Sequence, residues 1–303
     1  MSIKTDSQHH RFAFSAMGTP CEIQLYAASD AQAQAVAAAV IDDVRRLEKR
    51  YSRYQPDSFL SQINRVAALG GEIEIDPETA ALLNYANQCY QDSDQLFDIS
   101  SGLLRKAWKF NQNTLPDSEL ITSLLQRVGW DKIVWNRERI RFLIPGMELD
   151  FGGIVKEYAV DRAATLCHAR HIEHAVINLG GDVKVVGPRP DGSPWSIGIK
   201  HPSAGRIDHA VEIYQGAIAS SGDYERYIEI DGCRYGHILN PKTGWPVSYL
   251  SAVTVIDQFC VVAGSVSTIA MLKEQAGIPW LEALGLHHLW VSQTGLSGGK
   301  LAG

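Results

Sequence analysis

The sequence predicts an α+β fold, with mixed or antiparallel sheets and packed helices, on three observations. Helical periodicity dominates the first half of the chain, while short apolar or alternating runs dominate the second. The later runs are joined by hairpin-length links, not by the helical crossovers that a parallel sheet needs. The composition is that of an ordinary packed chain: 303 residues, 45% hydrophobic and 20% charged. The chain is read as a single domain over 1–303, with two intimately packed lobes expected to meet near residue 150.

The elements follow in order. Residues 12–28 alternate as one or two strands, interrupted at Gly18 and Pro20. Ser29 or Asp30 caps a helix in which Ala33, Val36, Val40, Val44, Leu47 and Tyr51 recur at helical spacing. Asp76-Pro77 has the cap-then-proline form of a second helix start, with Leu82, Tyr85 and Cys89 on one face. Asp117 caps a third helix that reaches Val128. Segment 131–149 reads as a hairpin: Lys132–Trp135, a polar turn at Asn136-Arg137, then Ile140–Ile144. Gly152-Gly153 opens a helix to Arg170, with Val155, Ala159, Ala163, Leu166 and Cys167 at helical spacing. Strands are expected over 174–179, 183–187, 195–200, 209–214, 225–230, 233–239 and 251–256. Helices over 260–274 and 279–285 lead to a last strand, 287–292, and the final ten residues read as a loose tail.

Several function classes are excluded. The net charge is −6 and no lysine/arginine block exceeds two residues, which argues against a nucleic-acid surface. No apolar run approaches the roughly 18 residues of a membrane span. The N-terminal segment lacks the apolar core of a secretory signal, so the expected location is cytoplasmic. Five cysteines without CxxC spacing are read as reduced, semi-buried thiols. Gly-x-Gly-x-x-Gly after the first strand, GxxxxGK[ST], HExxH and EF-hand patterns are missing, neither Ser220 nor Ser221 has the GxSxG elbow, and His9-His10 and His287-His288 lack ligand spacing.

The chemistry concentrates between residues 150 and 271. DFGGIVKEYAVD (150–161), NLGGD (178–182), WSIGIKHP (195–202), ASSGDYE (219–225), HILNPKTGWPV (237–247) and VAGSVSTIAM (262–271) each join small residues to a polar group beside a strand or helix end. Such segments bring backbone N–H groups close to phosphate, and together they read as one site for a large phosphate-bearing ligand. Gly152-Gly153 before a helix offers N–H groups and the positive end of the helix dipole, with Lys156 one turn in. Asn178-Leu179-Gly180-Gly181-Asp182 either lets a ligand approach the backbone or simply turns between strands. His237 is an acid/base candidate or a structural histidine, and Lys242 in the turn after it a possible charge neutraliser. Ser220-Ser221-Gly222-Asp223 reads as a polar loop at a strand end. Thr268 is either a helix-capping hydroxyl or a ligand for a hard cation such as Mg²⁺.

With FSAMGT (14–19), SRYQPDSFLSQIN (52–64) and FDISSG (97–102), these segments resemble, in order, the FAD:protein FMN transferase (ApbE-like) family from Phe14 to Leu272. The resemblance implies a T-fold-like architecture. It also implies binding of FAD and Mg²⁺, cleavage of the pyrophosphate, and transfer of FMN to a threonine or serine hydroxyl of an acceptor protein with release of AMP. A FAD pyrophosphatase giving FMN and AMP, and a FAD-binding carrier or sensor without transfer, are the alternatives. Carried onto this chain, Met17 and Gly18 would lie against the flavin, and Tyr54, Ser58 and Asn64 would shape its pocket. Asp98 and Gly102 match the family's FD-containing loop, and Gly152, Gly153 and Lys156 would approach the phosphates. Asn178, Gly180, Gly181 and Asp182 would line the central cleft, and Ser221, Gly222, His237 and Thr243 would hold the adenylate and pyrophosphate. His237 is the first candidate for proton transfer, with Lys156 beside it as the other catalytic candidate. Thr268 and the backbone carbonyl of Val155 would hold the metal.

Three departures from the family pattern stand out. An aspartate four residues before the threonine usually completes the metal site, and this chain has Gly264 there. The family's GGIAKGYAVD appears as GGIVKEYAVD, so Glu157 replaces a glycine. Asn240 stands where an aspartate is usual. On this reading Gly264→Asp should tighten Mg²⁺ binding if the site is otherwise intact; failing that, Glu157 and Asp182 are the carboxylates to examine.

Overall fold

The computed structural model describes residues 7–202, 207–224 and 226–301. Its first two strands, β1 (Gln8–Ala16) and β2 (Thr19–Ala27), form a hairpin whose turn holds Met17 (φ 54°) and Gly18 (φ 72°) in the left-handed region. Pro20 lies inside β2 and does not break it. It sits one pair beyond the turn, opposite Ser15, where its nitrogen points away from β1 and no bond of the β1–β2 ladder is lost.

Helix α1 (Asp30–Tyr51) begins as expected, with the Ser29 hydroxyl accepting from Gln32 N, and buries all six of the periodic apolar positions. Helix α2 (Phe59–Leu69) was not anticipated; its short apolar face is Leu60, Ile63 and Ala67. Strand β3 (Gly71–Glu74) leads to α3 (Pro77–Asp92), which Asp76 caps through Thr79 N. A 3₁₀ helix (Ile99–Lys106) follows, then α4 (Ser118–Leu125). Helix α4 stops short of Val128 as the backbone tightens to i→i+3 bonds, Arg127 N to Leu124 O at 2.9 Å and Val128 N to Leu125 O at 3.2 Å, and the Lys132 ammonium takes the Gln126 carbonyl at 2.9 Å. The expected hairpin forms as β4 (Ile133–Trp135) and β5 (Arg139–Phe142), and β5 also pairs with β3.

Helix α5 (Val155–His168) is followed by β6 (Ala175–Leu179), β7 (Asp182–Val185), β8 (Trp195–Lys200) and β9 (Ile207–Ile213). Next come β10 (Gly216–Gly222), β11 (Tyr227–Ile230), β12 (Cys233–Gly236) and β13 (Leu250–Asp257). The chain ends with α6 (Cys260–Leu272), α7 (Gly277–Leu284), β14 (His287–Ser292) and the short β15 (Ser297–Gly298). The first residue of the strand expected over 225–230, Glu225 of the ASSGDYE segment, lies outside the described residues, as do the termini 1–6 and 302–303.

The main sheet has the order β1-β2-β6-β7-β10-β13-β14-β15, with every pair antiparallel. This is the α+β class that the hairpin-length links predict. Its two faces are covered differently. Ile23, Leu25, Ile177, Leu179, Ala217, Ala219, Val253 and Val255 face a core shared with α1, α5 and α6. Their alternate neighbours Val176, Val183, Val185, Ile218 and Leu289 face a second core with Trp195, Ile199 and Ile213 of the β8–β9 hairpin. A third cluster joins the 3₁₀ helix and α4 to β11, β12 and the turn after them.

The polar loop expected at Ser220-Ser221-Gly222 is instead the end of β10, a central strand. Its sequence, GAIASSG, has no polar/apolar alternation because both faces are covered, so periodicity is silent there. No helix among the described residues is long and apolar enough to cross a membrane. All five cysteines are free, four of them buried and Cys233 exposed.

Candidate functional site

The site is built where the start of α5 meets the sheet and α6. The expected opening of α5 at Gly152-Gly153 is displaced: the helix begins at Val155, and the Gly152 N–H already donates to Asp150 Oδ1 at 3.0 Å. No side chain caps α5; the Val155 N–H already donates to Phe151 O at 3.0 Å, which leaves the next N–H groups of the first turn for a solvent or ligand oxygen. Gly153 lies against the Phe97 ring.

One turn in, Lys156 Nζ lies 2.8 Å from Asp182 Oδ2. Asp182 is buried at the start of β7, opposite Leu179, and therefore on the helix-covered face. Burial disfavours the Lys156 ammonium, but the Asp182 and Glu157 carboxylates outweigh it and hold its pKa above the ordinary value. Burial also raises the Asp182 carboxyl, against the pull of Lys156.

Glu157 is buried in the same place, and burial followed by the Asp182 charge raises its carboxyl. Its Oε2 is buried and has no hydrogen-bond partner. The side chain runs to Gly264 of α6: a Cβ at Gly264 would lie 2.6 Å from Glu157 Cγ and 3.2 Å from Oε1. A carboxylate therefore already stands in the space that an aspartate at 264 would fill. The register of the two helices is held by Asp161, also on α5, whose carboxylate oxygens accept from Cys260 N and Val261 N at 2.9 Å each.

Thr268 lies one turn beyond Gly264 on the same side of α6. Its hydroxyl is 2.8 Å from that of Ser221, which also lies 2.8 Å from Ser267 Oγ. Ser267 in turn donates to the Gly264 carbonyl at 2.9 Å. Ser221 points to the helices, whereas Ser220 points to the other face and bonds Thr254. No group of three or more His, Cys, Asp or Glu side chains suited to a metal occurs among the described residues. A cation here would rely on one or two carboxylates with hydroxyl and carbonyl oxygens, a donor set that suits Mg²⁺. The orphaned Glu157 oxygen, the notch at Gly264 and the Thr268 and Ser221 hydroxyls fit such an ion.

The NLGGD turn is a tight hairpin. Gly180 (φ 65°) and Gly181 (φ 98°) are both left-handed, and Asn178 Oδ1 accepts from Gly181 N at 2.8 Å. Gly180 N donates to Pro20 O at 3.1 Å, and Gly180 packs against Thr19 so closely that a Cβ would collide with it. Through β2 this turn sits beside the Met17-Gly18 turn, whose Met17 N–H donates to Glu48 Oε1 at 2.7 Å.

Tyr54 is 72% exposed, and its hydroxyl accepts from Arg53 at 2.8 Å. Partial burial would raise its phenol, but Arg53 and Arg226 lower it. Arg53 also pairs with Asp150, which ties this segment to the start of α5. Three other expected pocket residues spend their polar atoms inside the fold. Ser58 caps α2 through Ser61 N, Asn64 makes two hydrogen bonds to the Leu149 backbone, and Asp98 accepts from Ser100 N and Trp130 N. Gly102 lies directly against Asp150.

His237 is exposed just past β12, with Nδ1 3.3 Å from the Arg226 carbonyl. Thr243 Oγ1 accepts from Trp245 N within the following turn, and Asn240 Oδ1 accepts from Lys242 N. That turn rests on the third apolar cluster, where Trp108 Nε1 donates to Gly244 O at 2.8 Å. The WSIGIKHP segment covers the sheet face opposite Lys156 and Asp182. The structure thus joins Lys156, Asp182, Ser221 and Thr268 on one side and links Tyr54 to Gly152 through Arg53 and Asp150. Among the described residues, no hydrogen bond or ion pair joins Thr243 to the Lys156–Asp182 pair. Arg53 and Asp150 were not singled out from the sequence, although both lie in segments that carry the resemblance; the paired departures at Glu157 and Gly264 were the signal for the contact between α5 and α6.

A family model described as the ApbE family matches residues 17–290. A FAD:protein FMN transferase of Klebsiella pneumoniae is 30% identical over 259 residues, covering 83% of this chain and 78% of its own. One from Vibrio cholerae is 28% identical over 259 residues, covering 83% of this chain and 77% of its own. The crystal structure of the ApbE protein of Thermotoga maritima superimposes with a TM-score of 0.87 at 30% identity, covering 96% of this chain and 97% of that one. The apo form of the Pseudomonas stutzeri flavinyl transferase ApbE gives a TM-score of 0.87 at 28% identity, covering 97% of this chain and 95% of that one.

Proposed function

The chain belongs to the ApbE family, and from that premise we propose that it is a FAD:protein FMN transferase. The reaction joins a threonine or serine hydroxyl of an acceptor protein to the FMN phosphorus. The acceptor oxygen forms the new P–O bond, the pyrophosphate P–O bond breaks, AMP leaves with the bridging oxygen, and the hydroxyl proton passes to a base.

The observation that carries this reading is the Lys156–Asp182 pair beside an uncapped helix start. A pyrophosphate placed there meets an ammonium that its neighbours keep charged and N–H groups that no side chain occupies. The Met17-Gly18 and Gly180-Gly181 turns leave room for close approach at the same end of the sheet. Exposed Tyr54 offers a ring face for the flavin. Gly152, Gly153, Asn178, Gly222 and Thr243 remain backbone-side contacts for the ligand, and His237 the residue assigned to proton transfer. Mg²⁺, held by the Thr268 hydroxyl and the Val155 carbonyl, would neutralise charge on the pyrophosphate. The non-enzymatic reading drew on the loss of a carboxylate at 264, and Glu157 returns one to that space. Free, mostly buried thiols support a reducing, cytoplasmic setting.

The test is FAD turnover by the purified chain with and without Mg²⁺, each with and without an acceptor protein, following AMP by chromatography. AMP together with flavin fixed to the acceptor is the expected result. AMP and free FMN without acceptor would make the chain a pyrophosphatase, and tight FAD binding without AMP in any arm would overturn catalysis.

A further inference from the structure

We propose that Glu157 is a ligand of the divalent cation in this chain, reaching from α5 into the notch that Gly264 leaves in α6. This rests on the transferase reading for its purpose, but it stands on separate observations. Glu157 is buried, and its Oε2 has no hydrogen-bond partner. A buried carboxylate oxygen without a partner is costly and is retained where something pairs with it. Lys156 Nζ pairs with Asp182 Oδ2 at 2.8 Å, and Glu157 Oε2 receives no hydrogen bond from it. Two buried carboxyl groups therefore lie beside one ammonium.

Three features prepare the place for a cation. Gly264 has no side chain, and Glu157 Oε1 is 3.2 Å from where its Cβ would stand. Thr268, one turn on along α6, presents a hydroxyl on the same side. Asp161 locks the two helices by accepting two N–H groups from the start of α6, so the approach of Glu157 to Gly264 is held by the fold. A side chain at 264 would collide with Glu157 where it lies. The two positions act as one unit in which the carboxylate enters from the neighbouring helix. A divalent ion held there would add positive charge beside Lys156, which suits a pyrophosphate.

The test is Mn²⁺ binding by the full chain, with and without ADP, read by electron paramagnetic resonance of free Mn²⁺. Three variants are compared with the unaltered chain: Glu157→Gln, Gly264→Asp, and the pair Glu157→Gly with Gly264→Asp. The expected results are a loss of at least about tenfold in affinity for Glu157→Gln, with its melting temperature unchanged or raised, and recovery to within about threefold in the paired variant. Melting curves separate loss of binding from loss of folding, and the paired variant keeps the test open should Glu157→Gln fold poorly. Mn²⁺ binding by Glu157→Gln as tight as in the unaltered chain, or no binding by any form, would overturn the proposal. AMP release from FAD is followed separately. Release that persists while Glu157→Gln binds Mn²⁺ normally sinks the ligand assignment alone. Glu157-dependent binding without any AMP sinks the transferase reading alone.

Discussion

Glu157 stands in the space that a side chain at Gly264 would need, its Cγ 2.6 Å from where that Cβ would be. Gly264→Asp by itself should therefore not tighten cation binding. It forces two carboxylates into one buried notch and overpacks the α5–α6 contact, at a cost of about 1–3 kcal/mol. Urea unfolding of the variant checks this; an unchanged midpoint would show that Glu157 can swing aside.

Lys156 is the ammonium paired with buried Asp182. Lys156→Met should leave that carboxylate without its partner and lower stability by about 2 kcal/mol, less than for a fully buried pair because Lys156 is partly exposed. AMP release from FAD should fall about a hundredfold with the loss of charge at the phosphates. Lys156→Arg keeps the charge but not the compact shape, and should recover the stability more fully than the rate.

Gly180 and Gly181 separate two causes of turn strain. Both are left-handed, but only Gly180 lies against another residue, Thr19, whereas a Cβ at Gly181 meets nothing within 4 Å. Gly181→Ala should cost about 1 kcal/mol and Gly180→Ala clearly more, since it adds a collision to the backbone term. Equal denaturation midpoints for the two variants would show that β2 yields at Thr19.

Acid should weaken the surface network that joins α1, α3 and α5. The Arg46 hydrogen bonds hold the Glu78 carboxyl below its ordinary value; at Asp43, burial acts upward but Arg162 and Arg46 outweigh it. A carboxyl lowered by folding stabilises above its unfolded pKa, and that contribution disappears as pH falls through the folded value. Arg46→Met should cost about 1 kcal/mol at neutral pH, as the network is partly exposed, and its melting curve should approach that of the unaltered chain below about pH 3. A difference that stays constant with pH would assign Arg46 a packing role only.

The sequence by itself determined whatever depends on near neighbours along the chain. The cap at Ser29, the proline after Asp76 and the spacing of apolar residues in α1 and α3 are set by the 3.6-residue repeat and by local hydrogen bonds. The ordered segments placed the chain in its family for the same reason, since each is a short contiguous run. Only the tertiary structure decided which of those segments share a face. Strand β10 has no alternation to read because helices cover one side and the β8–β9 hairpin the other. Ser58, Asn64 and Asp98 look alike as pocket residues until their backbone partners are known. Glu157 was the deciding case: whether it reached solvent or the notch at Gly264 depended on the packing of α5 against α6, and a contact between residues 157 and 264 leaves no periodic trace in either segment.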